Sequence, residues 1–350
     1  MEFELEQAMI HHLVTAPNRY TLEIFLRDWE PSLAGNVVTR SYEETVRQRL
    51  VPGTYVFSDL ELLDDAQRRL AEMLWGRLSE LGSRVRLLND PTRVLSRYAL
   101  LRRLHAEGVN RFDVFRLLDV LRRPAPEPVP ATSGPSDGEG STGGRPRPRW
   151  PVFVRRENDH GGSLTPLMHT WEEVGEAALA LVATQPDPQE LLLVEYEDTS
   201  DARGVFRKYG AFVIGDAIVA RSLMFSRHWV VKDSELFDPE FLDEEERFVA
   251  ANPHADALRD IARRARVDYG RIDYAVADGR IQVWEINTNP MVESGLDEFD
   301  APDPQVHRAP LRRIAAELRR LDFQADGPGG EEVRGSRCAS RAAATGDELG

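Results

Sequence analysis

The stretch from Gly270 to Met291 constrains this chain more than any other. Gly270 to Val276 and Ile281 to Ile286 are apolar runs of strand type, and Ala277-Asp278-Gly279-Arg280 between them reads as a tight turn. The two strands form a hairpin that brings Asp273 level with Glu285 and Asn287. Glu285 and Asn287 stand two apart on a strand, so they share a face. Arg271 and Asp273 do the same. Hard oxygen ligands on one face, just before Asn289-Pro290, suit a magnesium ion that also grips phosphate. An isolated Glu-x-Asn near a proline often only caps a turn. Here the full order is Arg-x-Asp, turn, apolar strand, Glu-x-Asn-x-x-Pro, and it points to a cage for a metal–nucleotide.

Bulk properties exclude several alternatives. The 350 residues carry 44 basic and 59 acidic groups, a net charge of −15. That balance argues against sequence-independent binding to nucleic acid and against an anionic membrane surface. No run of about 18 apolar residues occurs, so no spanning helix is expected. The acidic start Met1-Glu2-Phe3-Glu4-Leu5-Glu6 lacks the basic and apolar parts of a signal peptide. The single Cys338 has no partner for an internal disulfide, which fits a reducing, cytoplasmic setting.

Composition divides the chain. Residues 124–149 and 326–350 are rich in Pro, Gly, Ser and Thr or poor in large apolar side chains, so they read as a disordered linker and tail. Before the linker, strands alternate with helices. Gly53 to Phe57 is a buried-type strand; Ser58 is expected to cap a helix carrying Leu63, Ala66, Leu70, Leu74 and Leu78. Val85 to Leu88 is a further strand, followed by a helix over about 93–106. This pace suggests a small parallel α/β domain. Ser58-Asp59 and Asn89-Asp90 then lie at carboxyl ends of strands, where ligands gather, although helix capping explains them equally.

After the linker, Trp150 to Arg156 is a strand ending in two arginines, and Glu157 to Ser163 is a glycine-containing loop with Gly161 and Gly162. A strand, a cation and a flexible loop form a phosphate-cradle arrangement. No Gly-Lys-Ser/Thr follows, so it is not a Walker loop. A helix is expected over about 170–184, and an apolar strand over 191–194 turns acidic at Glu195-Tyr196-Glu197-Asp198. Gly215-Asp216 is a hairpin turn between strands bearing Arg207, Lys208 and Arg221. Lys232 adds a cation, and one helix is expected over about 243–266. His11, His12, His169 and His228 lack metal-ligand spacing; His160, beside the glycines, fits a lid residue.

Arg271-Ile272-Asp273 with Val283-Trp284-Glu285-Ile286-Asn287-Thr288-Asn289-Pro290 resembles the metal-binding end of the ATP-grasp superfamily, including D-alanine–D-alanine ligases. The resemblance implies an α/β (α+β) ATP-grasp fold. A small parallel α/β domain (1–95) precedes two subdomains with antiparallel sheets that clasp ATP (starting at 96–123 and continuing over 150–325). It implies Asp273, Glu285 and Asn287 as ligands for magnesium or manganese, and Arg271 with Arg221 at the acyl-phosphate chemistry. It places Arg97, Arg155, Gly161, Gly162, Lys208 and Lys232 at phosphate, Glu195 and Tyr196 near adenine, and Glu197 or Asp198 at the ribose. Arg155 stands where that family has Lys, and Arg grips phosphate as a fork rather than a point charge. Met291 stands where those ligases usually have Gly, so the acceptor does not carry over.

The chemistry implied is that of an ATP- and magnesium-dependent ligase joining a small-molecule carboxylate to an amine, with no nucleic-acid or membrane partner and a homodimer left open. An ATP-grasp kinase, a carboxylate–thiol ligase and a non-catalytic nucleotide-binding protein are the alternatives. The acidic residues Glu293, Asp297, Glu298 and Asp300 either favour a cationic acceptor or form a solvated loop.

Overall fold

In a computed structural model the described residues are 9–123, 147–184, 187–294 and 304–322. The expected tail, Cys338, the first six residues, Asp297, Glu298, Asp300 and all but the last three residues of the expected linker lie outside them.

The described residues build three sheets, mixed with helices. The first part runs β1 (Ile10–Val14), α1 (Tyr20–Ile24), β2 (Val37–Ser41), α2 (Tyr42–Val46), β3 (Gly53–Phe57), α3 (Asp65–Ser79) and β4 (Val85–Leu88). Its strands order β2-β1-β3-β4 and pair parallel throughout. The small parallel domain expected from the alternation is therefore present, and β1 and β2 extend it beyond the two strands legible in the sequence.

Next come α4 (Arg97–Ala106), β5 (Val114–Arg116), α5 (Leu117–Leu121), β6 (Val152–Arg156), α6 (Trp171–Thr184) and β7 (Leu191–Glu195). These strands make an antiparallel sheet, β5-β7-β6. The last part runs β8 (Phe206–Ile214), β9 (Ala217–Ser226), α7 (Pro239–Ala251), α8 (Ala255–Ala265), β10 (Tyr269–Ala277), β11 (Arg280–Asn287) and α9 (Pro304–Leu321). Its strands order β11-β10-β8-β9, all antiparallel.

Two helix expectations are corrected. Asp64, not Ser58, caps α3: its carboxylate accepts from Gln67 N at 2.8 Å and Gln67 reciprocates, a capping box. The chain cannot enter the helix at Ser58, because Asp59 takes φ +58 and turns it aside. The helix expected over 243–266 is two helices. Pro253 disfavours helical geometry in the residue before it, and Asn252 ends α7 at φ +46.

The third sheet is packed on both faces. One face meets α4, α7 and α8 around Leu100, Phe241, Leu258 and Ile261. The other meets α9 and the first domain through Leu311, Ile314, Leu318 and Leu321, at helical spacing. Burying each of these aliphatic side chains contributes about 1.5–3 kcal/mol. Among the described residues no helix is long and apolar enough to cross a membrane.

Two histidines sit inside the first domain. His11 stacks on Tyr55 at 4.3 Å, and burial followed by Arg40 lowers its pKa to about 4. His12 is buried with neither ring nitrogen hydrogen-bonded, and burial lowers its pKa to about 3. Both folded values lie below the unfolded one, near 6.5. The native state is then fully stable relative to these groups above pH 6.5 and loses stability as pH falls towards 3, by at most about 1.4 kcal/mol per pH unit per histidine. Replacing His12 with Leu removes one such titration. Urea titrations between pH 7 and 4 will show His12→Leu losing less stability than the parent; an equal loss would contradict a buried neutral His12.

Candidate active site

The hairpin of β10 and β11 turns at Asp278 and Gly279, with φ +48 and +72, the left-handed pair that such a two-residue turn needs. Its register pairs Asp273 with Glu285 and Arg271 with Asn287. The level placement expected from sequence is therefore observed. What sequence missed is a bulge: Asp273 pairs with Glu285 but Tyr274 with Val283, which leaves Trp284 as the extra residue. Strict alternation would send neighbouring residues to opposite faces. The bulge instead lets Trp284 and Glu285 both line one cleft.

This cleft lies between β6 and the end of β7 on one side and β8, β10 and β11 on the other, closed by the loops around 160–163 and 229–232. Its empty space, counted to the open mouth, is about 840 Å³. Part of its lining is aromatic: Trp229 packs on Phe153 at 4.9 Å and Tyr196 at 5.7 Å, and Trp284 stacks on Phe112 at 5.0 Å. The lining is also cationic, with Arg155, Lys208, Lys232 and His160. Among the described residues no ion pair engages Lys208 or Lys232; the Lys208 ammonium meets only the Lys232 carbonyl, at 3.5 Å.

Glu285 is the centre of the charge network. Its Oε2 accepts from Arg97 and from Arg155, each at 2.7 Å, and His160 Nδ1 lies 3.4 Å from Oε1. Burial favours the neutral acid, but Arg97, His160 and Arg155 together hold the carboxyl well below its usual range. Burial lowers the Arg97 pKa to about 10, leaving a cation at neutral pH. Burial also disfavours charged His160, yet Glu285 and Glu61 outweigh it and raise its pKa to about 9. Arg271 grips Asp273 with both nitrogens, at 2.6 and 3.1 Å. A Cβ on Gly210 would lie 2.8 Å from Ser222 Oγ, so glycine leaves that hydroxyl its room. Glu197 also lines the cleft but is matched by Arg149 and Arg111.

Cations therefore outnumber free carboxylates here, against the net charge of the whole chain. Among the described residues no group of three or more His, Cys, Asp or Glu is placed to hold a metal. Two carboxylates and the Asn287 amide offer part of a hard-oxygen shell. The surplus of cations fits an anion that supplies the remainder, so the donors fit a divalent ion that arrives with phosphate.

Of the residues expected from sequence, Arg155, Gly162, Tyr196, Glu197, Lys208, Lys232, Asp273 and Glu285 line the cleft. Arg271 and Asn287 stand beside it by register, and Arg97 reaches Glu285 from α4. Four others are placed elsewhere. Glu195 turns away, accepting from Asp113 N at 3.0 Å and Arg149 N at 2.8 Å. Asp198 folds back on Ser200 N at 2.9 Å. Gly161 lies outside the lining and donates to Asp159. Arg221 occupies a second bulge, between Gly210 and Ala211, and is taken up by Glu293 and the Val292 carbonyl. Of the aromatic wall, sequence reading reached Tyr196 but missed Phe153, Trp229 and Trp284, and it missed Glu61. Trp229 sits beside Val230 and Val231 in a segment noted only for its cations, and that aromatic among exposed-type residues was the available signal.

The His160 pair has a pH signature. Its folded pKa lies above the unfolded value, so the stabilisation is complete below about pH 6.5 and is lost as pH rises through 9. In ligand-free protein, urea midpoints from pH 6 to 9.5 will fall more for the parent than for His160→Asn; parallel curves would contradict this pairing.

No family model and no curated protein matches the chain. Solved structures similar to it include a D-alanine–D-alanine ligase from Bacillus anthracis complexed with ATP, at 13% identity over 90% of this chain and 98% of that one, TM-score 0.44. Another is a RimK domain ATP-grasp protein from Sphaerobacter thermophilus, at 13% identity over 91% and 98%, TM-score 0.42. A third is the ATP-grasp ligase PsnB complexed with minimal precursor, at 12% identity over 89% and 99%, TM-score 0.43.

Proposed function

We propose that this protein is an ATP-grasp enzyme, an ATP-dependent ligase that activates a carboxylate as acyl phosphate and joins it to an amine. One observation carries the reading: a single aromatic-walled cleft is lined also by Asp273, Glu285 and two lysines, Lys208 and Lys232, that make no ion pair among the described residues. Aromatic faces suit a base, and unpaired cations suit phosphates. Trp229, Tyr196 and Phe153 would take the base, and Glu197 lies within reach of a ribose. Arg155, Lys208 and Lys232 would hold the phosphate oxygens. Asp273, Glu285 and Asn287 would hold magnesium, which neutralises charge on the phosphates when bound.

A carboxylate does not react with an amine in water, because oxide is a poor leaving group. Attack of a carboxylate oxygen on the terminal phosphorus releases ADP and leaves phosphate as the leaving group. The amine nitrogen then attacks the acyl carbon, phosphate departs and the nitrogen loses a proton. Arg271, held on Asp273, would face the acyl phosphate. Arg221 would act only through the 292–293 segment that it anchors. His160 and the loop around it would exclude water.

The double occupation of Glu285 by Arg97 and Arg155 favours a second reading, a nucleotide-binding protein without turnover. ADP release separates the two. The ligase releases ADP only with both carboxylate and amine present, a kinase needs one acceptor, and a binding protein releases none while still gaining thermal stability from Mg-ATP. A screen of amino acids and small amines with mass spectrometry of products identifies the pair. Asp273→Asn and Glu285→Gln are expected to lower turnover by about 100-fold or more, and Trp229→Ala to weaken ATP binding about 10- to 100-fold, as stacking of a base on an aromatic ring implies. Unchanged turnover in both carboxylate variants would overturn the metal assignment.

A further inference from the structure

Both carboxylates of the proposed metal face are already taken by arginine. Arg271 donates to both Asp273 oxygens, at 2.6 and 3.1 Å. Glu285 Oε2 accepts from Arg97 and from Arg155, at 2.7 Å each. A divalent cation entering alone would meet Arg97, Arg155, Arg271 and His160 around these two acids. Like charges at this range repel. Withdrawal of an arginine would therefore open Glu285 to a metal.

The two arginines on Glu285 are not equivalent. Arg97 also donates to the carbonyls of Arg156, Glu157 and Asp159, at 3.0, 2.5 and 2.7 Å, and its side chain is 4% exposed. These partners fix it in place. Arg155 has Glu285 and, at 3.5 Å, the Asp159 carbonyl, a distance at which a hydrogen bond is weak. Its Nε has no hydrogen-bond partner among the described residues. Arg155 lines the nucleotide cleft with Lys208, Lys232 and Glu285, and Arg97 does not. Arg155 comes from β6 and Glu285 from β11, in different sheets, so their ion pair bridges the two walls between which phosphates would lie. A phosphate replaces what Arg155 would give up, because a guanidinium forks onto two phosphate oxygens as it does onto a carboxylate.

We propose that Arg155 is an exchange latch: in the empty cleft it covers Glu285, and an entering nucleotide draws it onto phosphate and so opens the metal face. The proposal rests on the ATP reading of the cleft and adds an order to it. Nucleotide enters first, without metal, and the divalent ion follows. Arg97 stays on Glu285 throughout. The latch also accounts for the double occupation of Glu285, since the substrate removes one of its two arginines.

The probe is Mn2+, followed by electron paramagnetic resonance on the full chain freed of nucleotide. The parent takes up no Mn2+ at concentrations where Arg155→Gln does, and the variant binds it at least about tenfold more tightly, the scale of one hydrogen bond to a charged group. Adding Glu285→Gln to Arg155→Gln abolishes the gain. In EDTA, calorimetry shows the parent binding ATP without metal. Equal Mn2+ affinity in parent and Arg155→Gln, or a gain that survives Glu285→Gln, overturns the latch. The parent supplies a separate test should the variant fail to fold: uptake of Mn2+ without nucleotide, or ATP binding only when metal is present, overturns the latch as well. Absence of ATP binding with and without Mn2+ sinks the ATP reading, whereas intact Mn-ATP binding with an unchanged Mn2+ affinity in Arg155→Gln sinks the latch alone.

Discussion

Glu285 is a part-buried carboxylate that three cations keep ionised, and the arrangement of the molecule depends on it. Arg97 comes from α4, Arg155 from β6 and His160 from the glycine-containing loop. Each belongs to a part of the chain that Glu285 itself does not. One side chain on β11 thus draws the middle sheet, the loop and the helix after the first domain onto the third sheet. A buried charge stripped of a partner costs about 3–5 kcal/mol, so these parts cannot separate independently. The same attraction gathers more cations than carboxylates at the cleft, which prepares the site for a polyanion before any arrives.

The residues after Glu285 extend the junction to the first domain. Thr288 donates to Glu61 and accepts from Leu60 N at 2.9 Å. Asn289 donates to Asp59 at 2.9 Å and accepts from Thr21 at 2.7 Å. Asp59 in turn closes on Thr15, through its N–H and hydroxyl at 2.7 Å each. Asn89, at φ +62, donates to the Phe57 and Tyr269 carbonyls and accepts from Asp268 and Tyr269 N–H groups. The side chains at the carboxyl ends of the parallel strands therefore join the first domain to the third sheet. Eight residues of β11 and its exit serve a ring, a charge network and a domain boundary in succession.

The hairpin was legible because its turn chemistry and period-two pattern are local. A register fixed by an Asp-Gly turn places Asp273 against Glu285 without reference to the rest of the fold. The parallel strands β3 and β4 were legible for the same reason, as were the strand of Arg155 and its loop. The bulge at Trp284 was not, because an extra residue in one strand is decided by its partner. The break at Asn252 was signalled by Pro253, but helical periodicity on both sides masked it. Glu195 and Asp198 sit in the acidic run at the end of β7, yet side-chain direction there depends on the neighbouring backbone of Asp113 and Ser200. Arg97 stands among several arginines on a basic helix and only the resemblance singles it out in the sequence; in the structure burial against Glu285 distinguishes it.

The central claim is that aromatic wall, lysines and carboxylate–amide face form one nucleotide site. A crystal structure of the chain with magnesium and a non-hydrolysable ATP analogue tests it most directly. The account predicts the base against Trp229 and Tyr196, the phosphates between Arg155, Lys208 and Lys232, and the metal on Asp273, Glu285 and Asn287. A nucleotide bound outside this cleft, or a metal shell built without Asp273 and Glu285, would contradict it.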